Sequence, residues 1–457
     1  MTEYGETEAL PAIDRVRRSG ANIVVTLGNP PLDCLMGKRM PITKWRGSPL
    51  WSNRVGRKLI PTIHPAATLH GVYIWRYLIL NDFGKVKVEC ETSQLNLPDR
   101  HYLIDPTFDE VMTFIEDCRK RGRVCTDIEC MNHYVSCFSM AYEPDEAIVV
   151  PMYDEKNNNY WTEEEEAQIW LAYARLLEDR TVMKINHNIV GFDAVFLTMQ
   201  HNIHIEGPIG DTMIAQSILY PDFRMGLDMT ASMHTMEPYW KDDGKIWKAN
   251  HGISYRQFLR YCGTDAAATL ECWDVLRQEL LDKGYMKTYD MTVALRKPLA
   301  YMTIRGLKID RDGLEKAKIN IDKKLEEKYA ALAEVSDYIF SPTSPQQCAK
   351  YFYDHLGHKP YLNAAGGVST NDKSLSRLVR KGEKGSMEAK LCQEIRGLSK
   401  LKGTYLEVEL DRDDRLRCSW NPRGTVFGRL SSSKTIMGTG MNLQNLHPEF
   451  KGFIVAG

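Results

Sequence analysis

No Cys-x2-Cys pair occurs among the eleven cysteines of this 457-residue chain, and none are spaced for an iron–sulfur cluster, which excludes a cysteine-built metal module. Cys118, Cys125, Cys130 and Cys137 instead fall in or beside strand-like stretches, where reduced, buried thiols are expected. No apolar run approaches the ~20 residues that cross a bilayer. The polar, acidic start Met1-Thr2-Glu3-Tyr4-Gly5-Glu6 is not a signal peptide, so the expected location is the cytoplasm, or a host's cytoplasm, with no membrane partner. Net charge is nearly absent too, at −1, but it is unevenly spread. From Ser341 to Gly457 there are 18 Lys and Arg against 11 Asp and Glu; the first 340 residues carry 41 against 49. A basic C-terminal quarter beside a more acidic body fits a phosphate-facing surface. The length predicts two to four domains, each able to bury a core.

What is present centres on acids that interrupt apolar runs. In Arg123-Val124-Cys125-Thr126-Asp127-Ile128-Glu129-Cys130, Asp127 and Glu129 stand two apart in a strand-like stretch, so both carboxylates leave the same face. Like charges held that close resist joint ionisation unless a cation lies between them, and hard oxygen donors suit Mg²⁺ or Mn²⁺. Downstream, Lys184 to Leu197 predicts a strand, a turn containing His187 and Asn188, and an apolar helix opened by Asp193. Tyr261 and Asp265 are four apart in a helical pattern and share a face.

The series Asp-x-Glu, then Asn-x4-Asp, then Tyr-x3-Asp resembles the three motifs of the 3′–5′ proofreading exonucleases, in the subclass with tyrosine in the third motif. The resemblance implies a ribonuclease H-like α/β domain over residues 100–290 and two divalent metal ions, Mg²⁺ or Mn²⁺. By it, Asp127 bridges the metals, Glu129 and Asp265 hold one of them, and Asp193 holds the other through water. Tyr261 orients the attacking water, and Asn188 touches the substrate strand, a single-stranded 3′ DNA end.

Neighbouring features have local explanations. Phe108 to Arg121 predicts an amphipathic helix, and Val135 to Tyr142 and Ala147 to Pro151 predict strands. Thr162 and Glu165 form a capping box for a helix from Glu163 to Leu177, so the acidic run there is a helix start. Asp211 reads as an N-cap, and His187 as a supporting or structural residue.

In the first 95 residues, Glu8 to Ser19 predicts a short helix interrupted at Pro11, and Asn22 to Leu27 a buried strand. Strand, Gly-rich turn and helix then alternate as in an α/β layer. With His64-Pro65-Ala66, this segment resembles half of a uracil-DNA glycosylase superfamily domain, in which such a histidine lines the base pocket.

In residues 291–457, Ile309 to Leu314 starts a long helix whose Leu314, Ile321, Leu325 and Leu332 predict one buried face of a bundle. Turn-like stretches at 341–345 and 366–370 precede a basic helix over 395–405. These pieces, with Gly424-Thr425-Val426-Phe427-Gly428-Arg429-Leu430-Ser431-Ser432 and Asn442-Leu443-Gln444-Asn445, resemble the mostly helical thumb and the start of the palm of family A DNA polymerases. The resemblance implies primer-template contacts from Ser369, Thr370, Arg429, Gln444 and Asn445, and backbone contacts from Lys400 and Lys402. In that family, the first catalytic aspartate motif of the palm comes just after the stretch matching Gly452 to Gly457. These residues are therefore expected to proofread but not to extend a primer unless a downstream chain supplies the palm. Two other readings stay open: a catalytically silent DNA-binding half of a split polymerase, and an RNA-trimming exonuclease.

Overall fold

The computed structural model describes residues 3–131, 134–189, 191–250, 252–435 and 438–457, with backbone only at residues 3–9 and Asn250. Two compact units result: Met1–Tyr301 with Trp420–Ser431, and Met302–Ser419 with Ser432–Gly457.

The first unit begins with α1 (Glu3–Arg18), which runs through Pro11 rather than stopping there. Proline removes one donor, and Ile13, buried against Leu32, Leu35 and Met40, keeps the helix in place. Then follow β1 (Ile23–Leu27), α2 (Asn29–Met36), α3 (Ile42–Trp45), β2 (Leu50–Ser52), β3 (Arg57–Thr62), α4 (Ala66–Leu69) and α5 (Trp75–Glu89). The strands form a sheet ordered β1-β3-β2, with β1 parallel and β2 antiparallel to β3. Charges are buried beneath it in pairs. Lys58 Nζ lies 2.8 Å from Glu89 Oε2, and Asp82 accepts from Arg46 Nε at 3.0 Å and Thr62 Oγ1 at 2.6 Å. Buried charges persist only when partnered in this way.

No break between compact units falls at residue 95. The same unit continues with β4 (His101–Leu103), α6 (Phe108–Arg121), β5 (Arg123–Met131), β6 (Tyr134–Glu143), β7 (Glu146–Pro151) and α7 (Glu163–Glu178). After these come β8 (Met183–Asn186), α8 (Asp193–His201), β9 (Ile209–Asp211), α9 (Thr212–Leu219), α10 (Leu227–His234), α11 (Asp242–Asn250), α12 (Tyr255–Asp282) and α13 (Met286–Ala294). Capping boxes at Thr107/Glu110 and Thr162/Glu165 start α6 and α7. The six strands are ordered β4-β7-β6-β5-β8-β9, with β5 antiparallel to β6 and parallel to β8. Helix α12 lies across β5 to β8, close enough that a Cβ on Gly263 would come within 3.2 Å of the Tyr102 ring. Cys125, Ile185, Ala266, Ala267, Leu270 and Trp273 form the core between sheet and helix. All eleven cysteines are free, with Cys118, Cys125 and Cys137 buried and Cys130 partly so.

In the second unit, Asp310 caps the helix Arg311–Val335 by accepting from Gly313 N–H at 3.0 Å. Leu314, Ile321 and Leu332 are buried along it, with Leu325 partly so, as the near-heptad spacing predicts. Helices Asp372–Lys381 and Ser386–Leu401 pack with Tyr351 and Phe352 into a second core. The basic helix expected over 395–405 ends at Leu401 and widens into a π-turn, Lys402–Leu406. Residues 420–431, expected with the C-terminal segment, join the first unit instead, where Arg423 Nη2 donates to Ser217 O at 3.0 Å. No helix among the described residues is long and apolar enough to cross a membrane.

Candidate active site

Strand β5 pairs with β8 over Arg123–Cys125 and with β6 from Cys125 onward, and Asp127 and Glu129, two apart, emerge from one face beneath α12. Helix α12 brings Asp265 down onto the same spot. Asp127, Glu129 and Asp265 each offer a carboxylate oxygen within 4.8 Å of the others. Glu129 and Asp265 are buried, and Asp127 is partly open. Burial, followed by repulsion from Asp265, Asp193 and Glu129, pushes the Asp127 carboxyl well above the usual carboxylate range.

Asp193 reaches the same region from the start of α8, where its Oδ1 accepts from Ile128 N–H at 3.4 Å. It is 2 % exposed and is not part of the convergent trio. Burial pushes its carboxyl up to about 7 against the pull of backbone N–H donors, with Asp211 and Glu129 adding to the rise.

Tyr261 stands one turn before Asp265 on α12, buried, and its hydroxyl accepts from Lys241 Nζ at 2.8 Å. Burial, then Asp265, Glu129 and Asp127, hold the phenol strongly protonated. Asn188 lies in the turn after β8 with φ of 71°, a left-handed conformation that asparagine tolerates. Its near neighbour Val190 falls outside the described residues. Asp211 does cap α9, accepting from Ile214 N–H at 3.0 Å, and it also pins this turn by accepting from Asn188 and Ile189 N–H at 3.3 and 3.0 Å. His187 Nδ1 is 2.8 Å from Thr212 Oγ1, and burial lowers its pKa to about 3, so the ring is neutral and structural near pH 7.

Three residues that matter here were not singled out from the sequence. Lys241 Nζ is 2.6 Å from Asp265 Oδ2, Trp240 Nε1 donates to Asp265 Oδ1 at 2.7 Å, and Lys248 Nζ is 2.5 Å from Glu129 Oε2. Burial alone would lower the Lys241 pKa, but Asp265 and Asp127 more than reverse that. The available signal was a run of lysines and tryptophans, Trp240 to Lys248, just ahead of the third acidic motif. The donor set fits hard divalent cations: three convergent carboxylates that attract ammonium groups, with Asp265 and Glu129 adding to the rise at Asp127.

The remaining candidates are dispersed. His64 is exposed two residues past the end of β3, and its Nδ1 accepts locally from Ala66 N–H at 3.1 Å. Ser369 and Thr370, expected to meet a duplex, are buried instead. Ser369 Oγ accepts from Asn371 N–H at 3.3 Å and Thr370 Oγ1 donates to Pro345 O at 3.2 Å, so both hydroxyls brace the turn before helix Asp372–Lys381. Lys402 is held by Asp322 at 2.6 Å and Glu407 at 3.7 Å. Lys400, Arg429, Gln444 and Asn445 are exposed.

Comparison with known proteins gives matches on both parts of the chain. Residues 102–281 match the 3′–5′ exonuclease family, and residues 311–450 match DNA polymerase family A. The chain is 30% identical over 258 residues to DNA polymerase I of Synechocystis sp., which covers 54% of this chain and 25% of that protein. It is 25% identical over 263 residues to DNA polymerase I of Bacillus subtilis, covering 55% of this chain and 28% of that one. The chain thus spans about a quarter of the length of these curated relatives. A solved structure, the POL domain of Pol1 from M. smegmatis in complex with DNA primer-template and dNTP, is similar in fold. The TM-score is 0.59 at 19% identity, covering 78% of this chain and 57% of that one.

Proposed function

The chain carries the 3′–5′ exonuclease domain and part of the polymerase region of family A DNA polymerases, and from that premise we propose that it removes nucleotides from single-stranded 3′ DNA ends using two divalent metal ions. The observation that carries this reading is the convergence, from strand β5 and helix α12, of Asp127, Glu129 and Asp265 within 4.8 Å. Asp127, Glu129 and Asp265 would hold one ion, and Asp127 with Asp193 would contribute to the second. Bound there, the ions supply positive charge to the attacking and leaving oxygens of a phosphodiester displacement.

The chain's own residues do the rest. The Tyr261 phenol stays protonated, and because its oxygen accepts from Lys241, its O–H is free to orient a water. Asn188, held in its turn by Asp211, contacts the strand. Recognition rests on backbone charge and stacking, without sequence preference. Exposed Lys400, Arg429, Gln444 and Asn445 meet primer-template DNA, with affinity that falls as salt rises. His64, exposed with its Nδ1 accepting from Ala66 N–H, is given no base-excision role in this proposal.

Residues 1–457 do not extend a primer by themselves, because phosphoryl transfer to a 3′ hydroxyl needs paired palm carboxylates, and after Thr425 the only acid is Glu449. The test is a 5′-labelled single-stranded oligonucleotide incubated with Mg²⁺ or with a chelator. Stepwise shortening from the 3′ end that the chelator stops supports the proposal. Endonucleolytic cutting, or shortening that persists in chelator, overturns it.

A further inference from the structure

The residues that fix Asp265 and Tyr261 lie on a short strap, Tyr239 to Asp242, that follows α10 and runs into α11. Trp240 Nε1 and Lys241 Nζ take the two oxygens of Asp265, at 2.7 and 2.6 Å, and Lys241 also takes the Tyr261 hydroxyl. The two ends of the strap are gripped by the N-terminal segment, nearly 200 residues earlier in the chain. Lys44 Nζ donates to both oxygens of Asp242, at 2.8 and 3.0 Å. Trp45 meets the Tyr239 ring edge-on with centroids 5.2 Å apart, and Ser48 Oγ accepts from Tyr239 N–H at 3.1 Å. The Tyr239 hydroxyl closes the arrangement by donating to Asp242 Oδ1 at 2.9 Å. Just before the strap, Arg46 Nη1 and Lys85 Nζ each donate to Ser232, on α10, at 2.9 Å.

We propose that the N-terminal segment is a working part of the exonuclease site: Lys44 and Trp45 are positioning residues that hold the Tyr239–Asp242 strap, and through Trp240 and Lys241 they set the orientation of Asp265 and Tyr261. This rests on the exonuclease reading above. A carboxylate whose two oxygens are fixed from the strap keeps its plane only while the strap keeps its place. The strap divides its contacts accordingly. Its outer residues, Tyr239 and Asp242, answer to Ser48, Trp45 and Lys44; its central pair, Trp240 and Lys241, answers to Asp265. The glycosylase-like segment thereby gains a role that needs no glycosylase chemistry. Small misplacements of reacting groups cost roughly 10–10²-fold in rate.

The experiment uses the full chain and the variants Lys44→Met, Asp242→Asn and Lys44→Arg. Lys44 and Asp242 are each a little over a third exposed in side chain, so their loss leaves the core untouched. Two quantities are read: the rate of 3′ shortening, split into kcat and KM, and the NMR resonance of the Trp240 indole N–H, assigned with Trp240→Phe. Lys44→Met and Asp242→Asn should each lower kcat roughly 10–10²-fold with KM nearly unchanged. Both should shift the indole resonance away from its carboxylate-bonded position, and Lys44→Arg should restore both quantities. Unchanged kcat in folded Lys44→Met and Asp242→Asn protein overturns the inference, as does a fall in kcat with the indole resonance unmoved. An inactive parent chain overturns the exonuclease reading instead, and the indole shift then still decides whether Lys44 holds the strap.

Discussion

Replacing Asp193 with asparagine should make the metal-free protein more stable at pH 8 while costing it activity. Asp193 is 2 % exposed, and its carboxyl is pushed from an ordinary 3.8 up to about 7, chiefly by burial. Because the folded value lies above the unfolded one, the group's contribution to stability is fully present below pH 3.8 and is lost as pH rises through about 7. At pH 8 the ionised carboxylate destabilises the fold by up to ~4 kcal/mol relative to its neutral form; at pH 4 the same comparison gives less than ~1 kcal/mol. Asparagine is nearly isosteric and its amide oxygen can still accept from Ile128 N–H, so it removes the charge and keeps the bond. Urea denaturation of parent and Asp193→Asn in chelator, at pH 8 and pH 4, reads the difference. The variant should be more stable at pH 8, with the advantage shrinking toward pH 4. A variant less stable than the parent at pH 8, or an advantage independent of pH, refutes the reasoning. Added Mg²⁺ should stabilise the parent more than the variant.

Tyr261→Phe should slow 3′ shortening by ~10²-fold, the low end for an orienting group, while leaving Mn²⁺ affinity nearly unchanged by calorimetry. Gly210→Ala should destabilise by about 1–3 kcal/mol in urea melts, since overpacking is costly and the new Cβ would come 2.7 Å from the buried Trp273 ring. Primer extension by residues 1–457 carrying Asp127→Ala, which removes degradation as a confounder, should give no added nucleotides; extension would show that a polymerase centre is assembled from other residues of the chain.

Where neighbouring side chains alone decide a conformation, the sequence was legible. Thr162 with its glutamate marked the start of α7, and the two-residue spacing of Asp127 and Glu129 placed both on one face. The four-residue spacing of Tyr261 and Asp265 likewise placed both on one face of α12, while only the resemblance to the exonuclease motifs set that face beside the acids. Long-range packing was not legible. Pro11 does not stop α1 because Ile13 is buried from afar, and residues 420–431 leave their neighbours in sequence for the first unit through Arg423. Ser369 and Thr370 belong to a turn whose partners, Asn371 and Pro345, include one 25 residues away. Lys241 and Lys248 carried no motif; only the fold brings their ammonium groups to Asp265 and Glu129.

The most direct test of the central claim is anomalous diffraction from crystals soaked with Mn²⁺ and a short single-stranded oligonucleotide, using Asp193→Asn protein alongside the parent to slow turnover. Manganese peaks bounded by Asp127, Glu129 and Asp265, with the 3′ end of the strand beside them, Lys248 displaced or re-paired and Lys241 still on Asp265, are the predicted result. Ordered oligonucleotide with no manganese at those carboxylates, or manganese bound elsewhere, would contradict it.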